Sequence, residues 1–259
     1  MTPMEPEELL LFAADAARMM LESGGETYRA EETAMGIITS QGGAEAECFA
    51  LSTGLMLSFS GPDGRIQSIT RRIKKHGMNL EKVYRIESMV RNLRRSRITM
   101  DEAARELDEV ERMQELPIAA RMAASAFGAG SFALLFGGTA IEAAVAAFVG
   151  TLLSLLVAGF QKLRLPGFVT TLAGGAIATF ATLAIKAAGL AIDTDATIIG
   201  IIMLLVPGVA ITNAIRDSIA GDLVAGLARG ADAFLTAAAI SAGAGFAYTI
   251  WRLIPGGGL

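Results

Sequence analysis

The residues best placed to do chemistry gather in the last quarter of the chain, around Pro207. Pro207 lacks a backbone N–H and Gly208 loosens the next turn, so IIGIIMLLVPGVAITNAIRD should be a broken or kinked helix with freed polar backbone groups. A helix restarting after Gly208 would aim its N-terminal amides and positive dipole end at the break, where a carboxylate could bind. Asn213, Arg216 and Asp217 then fall at i, i+3 and i+4 and project from one helix face, with Asp222 and Arg229 two turns apart beyond them. Charges held near a membrane are costly unless paired, which makes these candidates for substrate binding or a proton relay. A plainer reading stands beside this one: a mechanical kink and then an interfacial amphipathic helix with solvated charges.

A second pair is Glu142 and Lys186, the charges inside two other apolar stretches. Both lie about one helical turn from the outer ends of their helices, so they share a depth and could form an ion pair that gates the outer side of a path. Separate snorkelling of the two side chains is the alternative. Nothing in the sequence asks for a metal or cofactor. One cysteine, Cys48, rules out an intrachain disulfide and a Cys-based zinc cage, and one histidine, His76, rules out HExxH. There is no GxSxG, P-loop or GxGxxG. Tyr28, Arg29, Glu31 and Glu32 crowd one short helix and Asp63 sits at a turn, but surface helices carry such runs routinely, so no catalytic residue is assigned. The net charge of −4, with both signs mixed, gives no basic surface for nucleic acid. Arg94, Arg95 and Arg97 form a small basic cluster, read either as a lipid contact or as a solvated helix face.

Two kinds of element must position these groups. Residues 1–121 carry 20 Asp/Glu and 16 Lys/Arg, whereas residues 122–259 carry only 6 of each, so the chain changes character near Pro117. Residues 1–116 read as an α+β domain. EELLLFAADAARMMLESG has apolar residues at helical spacing; Ser23 and Glu26 stand three apart, as in a capping box that starts a second helix. ECFALSTGLMLSFS and RIQSITRRI alternate as strands do, with Pro62, Asp63 and Gly64 at a hairpin turn between them. Asn79 can N-cap a third helix, and Thr99 or Asp101 a fourth. The acidic N-terminus, MTPMEPEE, lacks the basic start and apolar run of a signal peptide.

Residues 117–259 read as a transmembrane domain. Five stretches approach the roughly 20 apolar residues that a crossing needs: 117–136, 139–160, 168–190, 196–212 and 233–251. The fold class expected is therefore an α-helical integral membrane protein of about five spans with an N-terminal α+β cytoplasmic domain. Lys162 and Arg164 put the loop 161–167 inside, while Asp193 and Asp195 leave loop 191–195 outside. Counting spans from these loops places the N-terminus in the cytoplasm and the C-terminal PGGGL outside. Gly226 and Gly230 make a weak GxxxG signal for close helix packing.

GGETYRAEET, STGLMLSF, DGRIQSITRRI and NLEKVYRIESMVR, with VPGVAITNAIRD and AGDLVAGLARG later in the chain, together resemble the threonine/serine exporter family. The resemblance covers nearly the whole chain, and the last two strings are its most distinctive part. It implies a multi-pass subunit, not an enzyme, of a proton-driven secondary exporter of small amino acids in the cell's inner membrane. Some two-component relatives export dicarboxylates such as succinate, which keeps an organic acid open as substrate; a membrane-anchored enzyme and a regulatory subunit are the other readings. Long family members carry about ten spans and this chain resembles their first half, so a small membrane subunit is expected as partner, beside membrane lipids and compatible with a homo-oligomer. An odd number of spans lets a related unit insert upside down as an inverted repeat. Membrane physics and the position of the motif together nominate Pro207, Gly208, Thr212, Asn213, Arg216, Asp217 and Asp222 as the substrate-binding set.

Overall fold

The computed structural model describes residues 5–43, 45–61, 64–74, 77–114 and 116–254. The chain divides into two compact units. One consists of Met1–Gln114 and Ala210–Gly230, the other of Glu115–Val209 and Ala231–Leu259.

The first unit opens with α1 (Pro6–Glu22), whose proline in the first turn and acidic Glu7 and Glu8 suit a helix N-terminus. Leu9, Leu10, Ala13, Ala17 and Met20 recur at helical spacing and are all buried. Gly24, at φ +88°, takes the left-handed conformation that lets the chain reverse into α2 (Thr27–Ser40). The capping box expected at Ser23 and Glu26 does not form. Ser23 closes α1, and Glu26 stands at the N-cap of α2 without a side-chain cap bond, because its carboxylate is taken by arginines.

β1 (Ala46–Leu51), β2 (Gly54–Ser60) and β3 (Ile66–Arg72) form an antiparallel meander in that order. The run read as one alternating stretch, Glu47–Ser60, divides at Ser52–Thr53 into two strands. Leu55, Leu57 and Phe59 of β2 point into the core while Met56 points out, the period-two pattern of a sheet covered on one face. Pro62 and Asp63 of the expected turn lie outside the described residues, as do Lys75, His76 and the C-terminal 255–259. α3 (Leu80–Arg94) is capped by Asn79, whose Oδ1 accepts the Lys82 amide at 3.1 Å; α4 (Met100–Arg112) starts at a Thr99–Glu102 capping box. Ile37, Ile38, Leu55, Leu57, Ile86, Met89 and Val110 are fully buried at the centre, and each such burial is worth roughly 2 kcal/mol.

The same unit is completed by a helical hairpin from far along the chain: Ala210–Ile219 of α9 (Gly208–Ile219) and the first eight residues of α10 (Leu223–Leu253). Gly221 at φ +96° makes the turn, and Asp222 Oδ1 accepts the Ala225 amide at 3.0 Å to cap α10. At Gly226 a Cβ would stand 2.9 Å from the Ala214 carbonyl oxygen, so this glycine brings the two helices of the hairpin together.

The second unit contains α5 (Ile118–Leu135), α6 (Ala140–Lys162), α7 (Gly167–Ala187), α8 (Thr194–Ile202), the first two residues of α9 and the rest of α10. Among the described residues, four helices are long and apolar enough to cross a membrane: α5, α6, α7 and α10. Only 17% of the apolar window of α5 and 33% of that of α7 is buried, so most of these apolar surfaces face outward. Phe127, Phe148 and Phe246 are each more than half exposed, as lipid-facing side chains would be. The stretch 196–212 is not one helix. α8 stops at Ile202, residues 203–205 form a hydrogen-bonded turn, Val206 and Pro207 leave helical conformation, and α9 begins at Gly208. Pro207 cannot donate to the preceding turn, and neither piece reaches the length of a crossing by itself.

Small residues let backbones touch within this unit. A Cβ on Gly130 would stand 3.0 Å from the Ala143 carbonyl oxygen, one on Gly200 2.8 Å from that of Ala129, and one on Gly175 2.4 Å from that of Ile240. Val149, Leu153 and Ile201 fill the centre, and Phe180 meets Trp251 edge-on at 5.2 Å between α7 and α10.

Candidate functional site

The one face of α9 expected from the sequence is real, and it meets the turn between α1 and α2. Asn213, Ala214 and Asp217 are the buried residues of α9. Asn213 Nδ2 donates to the Gly24 carbonyl oxygen at 3.1 Å, and Thr27 Oγ1 donates to Asp217 Oδ1 at 3.3 Å. Arg229, from the first turns of α10, lies 3.1 Å from Asp217 Oδ2 through Nε and donates from its terminal nitrogen to the Gly25 carbonyl oxygen at 2.9 Å. Arg216 reaches the Glu26 carboxylate, which also holds Arg29 Nε at 2.8 Å. Residues about 190 positions apart thus form one ion-pair and hydrogen-bond network in the first unit.

Asp217 is fully buried. Burial pushes its carboxyl above the usual carboxylate range, against the pull of Arg229 and of the Thr27 hydroxyl, with the neighbouring negative charges of Asp222 and Glu26 adding to the rise. A buried carboxylate is costly to leave without a counter-charge, which ties Asp217 to Arg229.

The nominated residues divide into three groups. Asn213, Arg216 and Asp217 are brought together on the α1–α2 turn; Asp222 is half-buried and caps α10; Thr212 is exposed on α9. Pro207 and Gly208 sit at the break itself, with the Gly208 amide donating to the Val206 carbonyl oxygen at 2.9 Å. Glu142 and Lys186 are not joined by an ion pair among the described residues. Glu142 closes a capping box with Thr139 at the start of α6 and accepts the Asp193 amide at 2.9 Å, while Lys186 is exposed in the last turn of α7. The local cap meets the needs of the buried carboxylate without a distant lysine.

Reading the sequence did not bring Gly24, Gly25, Glu26 and Thr27 into the site. They lie in GGETYRAEET, one of the strings that carried the family resemblance, so the signal was present without its spatial meaning. The charges that crowd α2 also have structural work: Arg29 pairs with Glu26 and Glu87, and Glu31 Oε1 accepts the amide of Ala50 on the edge strand β1 at 2.9 Å. Burial raises the Glu31 carboxyl and takes the Cys48 thiol up to about 12, which leaves that thiol inert as a nucleophile at neutral pH. Among the described residues no group of three or more His, Cys, Asp or Glu is placed to hold a metal ion.

The family model described as "Putative threonine/serine exporter" matches residues 11–251. A protein of Mycobacterium tuberculosis named "Probable threonine/serine exporter" is 25% identical over 226 residues, covering 85% of this chain and 42% of its own length. The chain thus spans about two fifths of that relative. No solved structure matches. A model matching all but the two ends of the chain and four apolar helices with outward-facing surfaces make one conclusion: this multi-pass membrane protein belongs to the threonine/serine exporter family.

Proposed function

We propose that the chain is one component of a proton-driven secondary exporter of small amino acids, threonine and serine first, completed by a small membrane subunit. The observation that carries this reading is the family match over residues 11–251. A second component is part of the proposal because an odd number of crossings lets a related unit insert upside down as an inverted repeat. The four long helices and the stretch 196–212, interrupted at Pro207, make five crossings, with residues 1–116 cytoplasmic and the C-terminus outside. Lys162 and Arg164 between α6 and α7 support that orientation.

The break at Pro207–Gly208 is the proposed binding point. A discontinuous helix exposes backbone groups where a continuous one hides them, and the first amides of α9 carry the positive end of its dipole. An amino acid offers a carboxylate to that end, with Thr212 on the first turns of α9 as a further polar contact. Asn213, Arg216, Asp217 and Asp222 hold α9 in place and make Asp217 the proposed site of proton coupling.

The test is efflux from proteoliposomes holding the chain with and without the small membrane protein, loaded with labelled threonine, serine or succinate under a pH gradient. Threonine and serine should leave only when both components and the gradient are present. Pro207→Ala should lower the rate at least tenfold with the protein still in the membrane. Succinate efflux without amino-acid efflux would move the assignment to organic acids, and no efflux from the pair would end the exporter reading.

A further inference from the structure

The first unit contains a second charged site, between α2 and α3. A cleft of about 580 Å3 opens between α2 and the C-terminal half of α3, a size that accommodates a small ligand. Its walls carry four guanidinium groups, from Arg29, Arg91, Arg94 and Arg95, against the carboxylates of Glu32 and Glu87. Arg29 and Glu87 are paired with each other. The other three guanidinium groups have no hydrogen-bond or ion-pair partner among the described residues, and all three residues are exposed. The cleft therefore carries an uncompensated excess of two positive charges.

These arginines are not needed to finish the helix. The end of α3 is closed by backbone bonds: the Arg95 amide to the Arg91 carbonyl, the Ser96 amide to that of Leu93 and the Arg97 amide to that of Asn92. Nor do they fan into solvent at random. The stem of Arg94 lies along α2, where a Cβ on Gly36 would stand 3.1 Å from its Cδ, and Thr33, one turn earlier on α2, lines the same cleft. Gly36 thus gives α3 a close approach that lays one arginine stem against α2. Three guanidinium forks around one cleft fit an anion with several oxygens and more than one charge, because each fork binds two oxygens in its own plane.

We propose that this cleft binds a phosphate-bearing anion, supplied either by a free phosphate compound or by an anionic lipid headgroup. The inference is independent of the exporter reading, since it concerns ligand binding and uses none of the residues at the helix break.

Titration calorimetry on the full chain in neutral detergent, with inorganic pyrophosphate as probe, tests it. Saturable binding is expected, at least tenfold stronger than that of succinate, and weakened at least tenfold in the Arg91→Gln/Arg94→Gln/Arg95→Gln chain. These three side chains are exposed, so the variant should unfold at the same temperature as the parent. The triple Arg→Lys variant should bind with intermediate strength, having the charge without the forks. The lipid source is read by native mass spectrometry of the chain from nanodiscs of phosphatidylcholine with and without phosphatidylglycerol. Phosphatidylglycerol retained by the parent and lost in the triple Gln variant identifies a headgroup site; pyrophosphate binding without lipid retention identifies a soluble ligand. No saturable binding of either probe, succinate binding as strongly as pyrophosphate, or undiminished binding by the triple Gln variant would overturn the proposal.

Discussion

Asp217 shows why a charge pattern can be right about a face and silent about its use. Spacing put Asn213, Arg216 and Asp217 together, and they are together, but the groups they meet are 24–27, which no local pattern could supply. The Asp217–Arg229 pair has a definite consequence for stability. A carboxyl raised by burial favours the folded state most below its unfolded pKa, and that contribution falls as pH rises through the folded value. At neutral pH the folded chain depends on Arg229 to offset the buried charge. Arg229→Gln should therefore cost about 3 kcal/mol of stability at alkaline pH, with a smaller deficit at acid pH as Asp217 takes up a proton. Thermal unfolding at the two pH values reads this, and Asp217→Asn in the Arg229→Gln background should recover the pH-dependent part. A deficit that is the same at both pH values would mean that the lost bond to the Gly25 carbonyl, and not the buried charge, dominates.

At the scale of elements, what was legible came from local rules. Asn79 and Thr99 announced their helices through side-chain chemistry within three residues, and both cap as expected. The apolar runs behind α5, α6 and α7 were long enough to mark themselves. The break between α8 and α9 was written in Pro207, which acts on its own preceding turn. Missed were features set by partners at a distance. Glu26 reads as half of a capping box until two arginines claim it, and α10 starts ten residues before the apolar window 233–251 because its first turns pack on α9. Packing of α10 on α7 makes its own prediction. At Gly243 a Cβ would lie 2.0 Å from the Leu172 carbonyl oxygen, whereas Gly245 has nothing within 4 Å. Gly243→Leu should force these helices apart and destabilise the chain by about 1–3 kcal/mol or more, read as a lower melting temperature in detergent. Gly245→Leu on the same helix should leave it unchanged, and equal effects would show that helix propensity is being measured instead of close approach.

For the whole molecule, the orientation drawn from loop charges can be checked directly. With Cys48 replaced by serine, a cysteine at Leu163, in the turn between α6 and α7, should react with an impermeant maleimide only after cells are opened; one at Leu190, between α7 and α8, should react in intact cells. Labelling in the opposite sense would invert the topology and place residues 1–116 outside. The first unit is built from two stretches separated by α5 to α8, and that arrangement governs how the protein is made. Residues 1–114 leave the ribosome first, yet the partners of Glu26 and Thr27 emerge about 190 residues later. Loop closure over such a span is slow and weakly rewarded until the final contacts form. The early segment must therefore wait with an unfinished surface while α5 to α8 are made, so membrane insertion of the intervening helices becomes a step in the folding of the first unit. A nascent chain whose helices fail to insert would present Gly24–Thr27 uncovered, a ready cue for quality control.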